Sequence, residues 1–242
     1  MKFTYTQYKN FLKTLLKDYD FISFSRAKYN PEQTEKTVLL RHDIDQSLEK
    51  ALAMSEIETD LGISATYFLF LKSPFYNIFS YDEEKIIQQV IEKNHHIGLH
   101  FDYSNYAIKT ISQLSFQIKK EADFIQNYFG IKVDAVSFHR PFDIKFFNKL
   151  ELSIYPHSYE SFFTENYKYF SDSRGEWRFG DPLKSVEYKN RENLHILIHP
   201  IWWNRNSIPP EQTINNFNQY YSQKFKKFLK SELKGFWEDL GK

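Results

Sequence analysis

Apolar residues recur at helical spacing from the amino terminus. Phe3, Tyr8, Phe11, Leu12, Leu15 and Leu16 share a face, which predicts an amphipathic helix over about 3–18. A loop at Asn30-Pro31 follows, and the period changes at Thr37-Val38-Leu39-Leu40-Arg41, a β-branched apolar run that reads as a strand. Leu48, Ala51, Leu52, Ile57 and Leu61 then run helically to Gly62, placed to cap the carboxyl end. The run Ala65 to Phe70 is almost wholly apolar or aromatic, as a strand buried on both faces should be. A helix through Ile86, Ile87, Val90 and Ile91 leads to a short strand at His96–His100. A longer one, carrying Ile111, Leu114, Ile118, Ala122, Ile125 and Phe129 to Gly130, precedes a strand at Val133–Phe138. From Leu152 to Asn190 the pattern is irregular and reads as strands and loops framing a cleft. Leu194–His199 is the last strand, and one or two amphipathic helices are expected over about 212–240, after Pro209-Pro210.

Strands alternating with helices at this rhythm imply parallel pairing through crossover helices, in an open sheet or a barrel. At 242 residues, one domain accommodates the whole chain. Sites in such folds gather at the carboxyl ends of strands. Asp43 with Asp45, His100, His139 with Arg140, and His199 all fall where a strand is expected to run out.

Charge and composition narrow the chemistry. A net charge of +1 offers no electrostatic footing for nucleic acid or an anionic membrane. The absence of cysteine removes disulfides, thiol catalysis and thiolate metal sites. Charges interrupt every apolar run between Met1 and Lys17, so neither a signal peptide nor a membrane span is expected, and the cytoplasm is the default location. Aromatics make up 19% of residues, a surplus that suits a saccharide cleft as well as a core.

In an extended backbone, residues two apart point to the same side, so Asp43 and Asp45 converge while Ile44 turns away. Their repulsion is relieved by a divalent cation, a shared proton or an arginine. A helix-capping role explains neither well, because Ser47 already precedes Leu48 as a cap. His42, His95, His157 and His195 read as hydrogen-bonded structural histidines.

The motifs also have a recognisable order. An Asp-rich strand end is followed by His95-x-Ile97-Gly98-x-His100, then Phe138-His139-Arg140-Pro141-Phe142, then Asp172 near Trp177, then Leu197-Ile198-His199. From Val38 to His199 the chain resembles the polysaccharide deacetylases, carbohydrate esterase family four. Within them it looks most like small members that open on Arg-His-Asp-x-Asp and are linked to surface-polysaccharide biosynthesis. That resemblance implies a distorted (β/α) barrel of about seven strands and metal-assisted removal of an N-acetyl group from an amino sugar. The metal it implies is zinc, with cobalt, nickel or manganese as substitutes.

Carried over by position, Asp43 resembles the base and Asp45 the metal carboxylate, although the intervening Ile44 leaves a swap or joint metal binding open. His100 resembles the first metal histidine. The partner expected four residues on is Ser104, so Asp102 is favoured as third ligand, with His139 and His96 as alternates. His139 or Arg140 would orient the base, and a backbone N–H near Phe142 resembles the oxyanion donor. Asp172 resembles the residue that tunes His199, the general acid. Phe142, Trp177, Trp202, Trp203 and Tyr67 are the expected substrate-binding aromatics. Two other readings compete: a decayed relative that binds saccharide without hydrolysis, motivated by Ser104, and a glycosyltransferase using Asp43-Ile44-Asp45 on a metal-nucleotide sugar.

Overall fold

Eight consecutive buried residues, Thr37–Ile44, form the strand on which the molecule is built. The structure is a computed structural model that describes residues 2–141, 143–152 and 154–233, apart from the side chain of Gln33. In chain order the elements are α1 (Tyr5–Leu15), β1 (Asp20–Phe21), α2 (Phe24–Tyr29), β2 (Thr37–Ile44), α3 (Leu48–Thr59), β3 (Thr66–Leu69), α4 (Tyr81–Glu92) and β4 (His96–Phe101). There follow α5 (Ile111–Phe129), β5 (Val133–Phe138), α6 (Ile144–Lys149), α7 (Ser161–Asn166), β6 (Lys168–Ser171), α8 (Val186–Asn190), β7 (Leu194–Ile198) and α9 (Pro210–Glu232).

All seven strands are parallel, in the order β5-β4-β3-β2-β7-β6 with β1 also pairing β2. The sheet curls into a distorted (β/α) barrel. Beyond β5 the chain bridges Val136 to His157 and then passes through α7 into β6.

Alternation along β2 assigns its side chains to two layers. Val38, Leu40 and Ile44 join the cluster of Tyr8, Phe11 and Leu12 from α1 and Leu48, Ala51 and Met54 from α3. Leu39 faces the opposite way, toward Phe68, Ala135, Phe24, Ala27 and Phe163. Phe68 lies so close to Gly98 that a Cβ there would stand 2.5 Å from its ring, so only glycine lets β4 approach. Asp134, at the start of β5, accepts the amides of Phe24 and Ser25 at 3.0 Å each and so holds the first turn of α2.

The periodic helices and main strands follow the sequence pattern, with Gly62 and Gly130 in the left-handed conformation at helix ends. β1 and α2 were not anticipated. Both are too short to carry a period and owe their form to β2 and Asp134. β2 also runs three residues past Arg41, which places Asp43 inside the strand and Asp45 just beyond it. The tail forms one helix through Glu232, and its expected continuation over 234–240 lies outside the described residues. No described helix is long and apolar enough to cross a membrane.

Candidate active site

Arg41, Asp43 and Asp45 share strand parity and face the interior of the curl. Arg41 grips Asp43 with both arms of its fork: Nε donates to Oδ1 at 2.8 Å and Nη2 to Oδ2 at 2.6 Å, with neither residue more than 2% exposed. Its third nitrogen donates to Ser158 Oγ at 2.9 Å, and the guanidinium lies 5.4 Å from the Phe68 ring and 5.3 Å from that of Tyr159. Burial by itself would raise the Asp43 carboxyl, but the Arg41 charge, with His100 beyond, holds it below its ordinary value.

The expectation that His139 or Arg140 orients Asp43 is therefore corrected. Arg140 is exposed, with a left-handed backbone (φ 48°) and a carbonyl that accepts the Tyr103 hydroxyl. Arg41 was legible as the partner from the same i, i+2 rule that paired the two aspartates.

Asp45 faces a different set of groups. Its Oδ1 stands 3.1 Å from His100 Nε2 and 3.5 Å from His139 Nδ1, and those nitrogens are 3.2 Å apart. Ligands about 2.0–2.1 Å from one tetrahedral ion stand roughly 3.3 Å from each other, so the three atoms sit where such an ion needs them. Asp45 Oδ1 is buried with no hydrogen bond of its own, the condition of an acceptor that a cation would satisfy. Burial would raise this carboxyl too, yet His100 and His139 beside it hold it well below its ordinary value.

Ser137 sets the chemistry of His100. Its hydroxyl lies 3.3 Å from Asp43 Oδ1, to which it donates, and 2.6 Å from His100 Nδ1, whose N–H it accepts. That leaves the Nε2 lone pair facing the cluster, the tautomer a metal ligand requires. The Asp45 backbone is pinned as well, by Ser73 Oγ on its carbonyl (2.8 Å) and Tyr76 Oη on that of Ile44 (2.7 Å). Neither loop residue was singled out in the sequence.

Among the described residues this is the one cluster of three able to hold a metal, and His139 is its third member. Asp102, favoured from sequence, instead turns into its own loop, where it accepts the Ser104 amide (2.9 Å) and hydroxyl (2.6 Å). His96 is exposed at the start of β4, the opposite end from His100.

Across the same rim, Asp172 is fully buried and saturated. Its Oδ1 lies 2.7 Å from His199 Nδ1, both oxygens accept the His199 amide, and Oδ2 accepts Trp203 Nε1 at 2.8 Å. Burial opposes a charge on His199, but the hydrogen bond and charge of Asp172, with Asp45 and Asp43 behind it, push it up to about 9. Because the folded value exceeds the unfolded one of about 6.5, the pair's contribution to stability is complete below that pH and is lost as pH rises through about 9. In metal-free protein the His199 ring signals are expected to titrate near that upper value by NMR, and Asp172→Asn should bring the midpoint to about 6.5 or lower. A wild-type midpoint at or below 6.5 would contradict this geometry.

The side chains of Asp45, His139 and His199 are 14–15% exposed, whereas those of Asp43 and His100 are 3% exposed. The three more open groups mark the mouth of the site.

Two of the five expected substrate aromatics, Tyr67 and Trp203, are fully buried. Tyr67 is fully buried on the outer face of β3, stacked on His42 at 4.3 Å and donating to Glu58 at 2.8 Å. Glu58, itself fully buried, also takes His42 at 2.7 Å and the Tyr8 hydroxyl. Trp203 is fully buried as the partner of Asp172. Trp177 packs against Phe3 and Phe11, and Trp202 against Gly175, whose Cβ, were it present, would also meet Pro210. Phe142 and its amide lie outside the described residues. The remaining histidines are structural: His95 bonds the Ala65 amide, His157 the Leu150 carbonyl, and His195 lies between the rings of Phe24 and Tyr169.

No protein-family profile matches this chain, and no curated protein matches its sequence. Solved structures do. The chain is similar to a chitin deacetylase from the fungal pathogen Colletotrichum lindemuthianum, at 13% identity and a TM-score of 0.44, over 78% of this chain and 84% of that one. It is similar to a family 4 carbohydrate esterase from Bacillus anthracis at 12% identity and a TM-score of 0.43, over 88% and 86% of the two chains. A family 4 pseudoenzyme from Bacillus anthracis matches at 14% identity and a TM-score of 0.42, over 77% of this chain and 62% of that one. Likeness this distant leaves activity to be argued from the site.

Proposed function

We propose that this chain is a single-domain, metal-dependent hydrolase that removes an N-acyl group, acetyl foremost, from an amino sugar or glycan precursor. The observation that carries the reading is the convergence of Asp45 Oδ1, His100 Nε2 and His139 Nδ1 within 3.1–3.5 Å of one another, beside a buried Asp172–His199 pair. Two imidazoles and a carboxylate suit zinc, with cobalt, nickel or manganese as substitutes.

A cation held there would supply polarisation of the acyl carbonyl and acidification of water. The chain's own groups do the rest. Arg41 keeps Asp43 ionised and so able to take a proton from the attacking water, and Ser137 ties that carboxylate to His100. His199, held in its charged form by Asp172, gives its proton to the amide nitrogen as the C–N bond breaks. The products are a carboxylate and a free amine.

A glycosyltransferase would offer both carboxylates to one metal-nucleotide, whereas Asp43 is committed to Arg41. The case for a decayed site rested on Ser104, and His139, grouped with Asp45 and His100, is able to supply the ligand that serine cannot, which supports the active reading.

Protein loaded with zinc, cobalt or manganese is expected to release acetate or formate from a panel of N-acylated amino sugars. Chelation should abolish release and metal addition restore it. A protein that binds no divalent metal, or one fully active as Asp43→Ala, would refute the assignment.

A further inference from the structure

The ladder joining β2 to β7 ends at the pair His42–Ile198, one residue before both Asp43 and His199. Past that point the segments carrying Asp45 and His199, each just beyond its strand, have no ladder between them. A side chain from α3 bridges to the segment after His199. Lys50, in the first turn of α3 and five residues after Asp45, has its amide held by the Ser47 cap at 3.2 Å. Its ammonium donates to the carbonyls of Ile201 (2.7 Å) and Trp203 (3.2 Å) and to Asn204 Oδ1 (2.7 Å), all in the segment leaving His199.

Three donors thus meet three acceptors. None is a carboxylate, so the half-buried cation has no anion among these partners. A contact needed only for packing would be made more cheaply by a neutral side chain. The acceptors include the carbonyl of Trp203, whose indole holds the same Asp172 that orients His199.

We propose that Lys50 is a positioning residue that sets the acid half of the site, His199 with Asp172 and Trp203, at its working distance from Asp45, His100 and His139. It touches neither metal ligand nor acid, and acts through the backbone of residues 201–204. The kinetic consequence rests on the deacylation reading, whereas the structural ones do not.

The test is Lys50→Met, which keeps the stem and removes the donors, with Lys50→Arg as the conservative variant and Lys50→Gln in reserve should the methionine variant fail to fold. In Lys50→Met the His199 NMR midpoint is expected to drop by about one unit or more as its hold on Asp172 loosens. Zinc affinity, read by competition with a chromophoric chelator, should stay within about threefold of wild type, because the Lys50 ammonium bonds Ile201, Trp203 and Asn204 and none of the three ligands. Turnover should lose about 10- to 100-fold in kcat with KM little changed, and Lys50→Arg should recover much of it. An unmoved His199 midpoint, or a parallel loss of zinc affinity, would overturn the proposal. If wild type hydrolyses no acylated sugar, the deacylation reading fails while the titration and zinc measurements still decide the role of Lys50.

Discussion

Arg41→Met is expected to lower the stability of the fold by about 3–5 kcal/mol, the range for leaving one member of a buried ion pair unpartnered. Asp43 would remain 2% exposed with both oxygens stripped of their charged donors. Two escapes are open, and both are costly. Either the carboxyl takes up a proton at neutral pH, ending its use as a base, or water enters a layer packed with Phe68 and Tyr159. Urea denaturation checks the size of the loss. The double variant Arg41→Met/Asp43→Leu should regain much of the stability while remaining inactive, because removing both charges leaves no buried ion unpaired and only the Ser137 and Ser158 hydroxyls short of a partner. A single variant within 1 kcal/mol of wild type would show that the pair is not what holds this carboxylate.

The second large effect concerns the metal. His139→Ala should weaken zinc binding by more than about 100-fold, beyond the 10- to 100-fold typical of a residue that only orients a ligand. Asp102→Ala should leave it within about threefold, because Asp102 spends its carboxylate on the Ser104 turn. Competition titration against a chromophoric chelator measures both. The reverse order, with Asp102→Ala crippling and His139→Ala silent, would return the third ligand to the position favoured by sequence.

These two experiments fall where the sequence reading was weakest. Parallel alternation, the strand ends and the conjunction of Asp43, Asp45, His100, Asp172 and His199 were legible because each follows from a local rule: period, parity or motif order. The third ligand was not. Choosing between Asp102 and His139 depends on how β4 and β5 pair, and their register is interrupted between Ile97 and Leu99. The ladder sets His100 beside Ser137, which puts His139, two residues on and of the same parity, next to the His100 ring. Asp102 meanwhile falls in a turn that consumes its carboxylate. The aromatics misled for a related reason. Composition counts them but does not say which layer they enter, and Tyr67 and Trp203 were drawn to buried carboxylates, Glu58 and Asp172, by their hydrogen-bonding tips.

From residue order alone, then, came parallel strands joined by crossover helices, in an open sheet or a barrel, with acidic and imidazole groups at the strand ends, because burial period and side-chain parity act over only a few neighbouring residues. The barrel itself was what the family resemblance implied. Which of those groups meet was settled by tertiary structure. Arg41 with Asp43 is a side-chain choice made inside a closed layer, His139 with Asp45 a matter of strand register, and Lys50 with the segment after His199 a contact across some 150 positions of chain. Distances of that kind depend on how the sheet curls, and no local pattern carries that information.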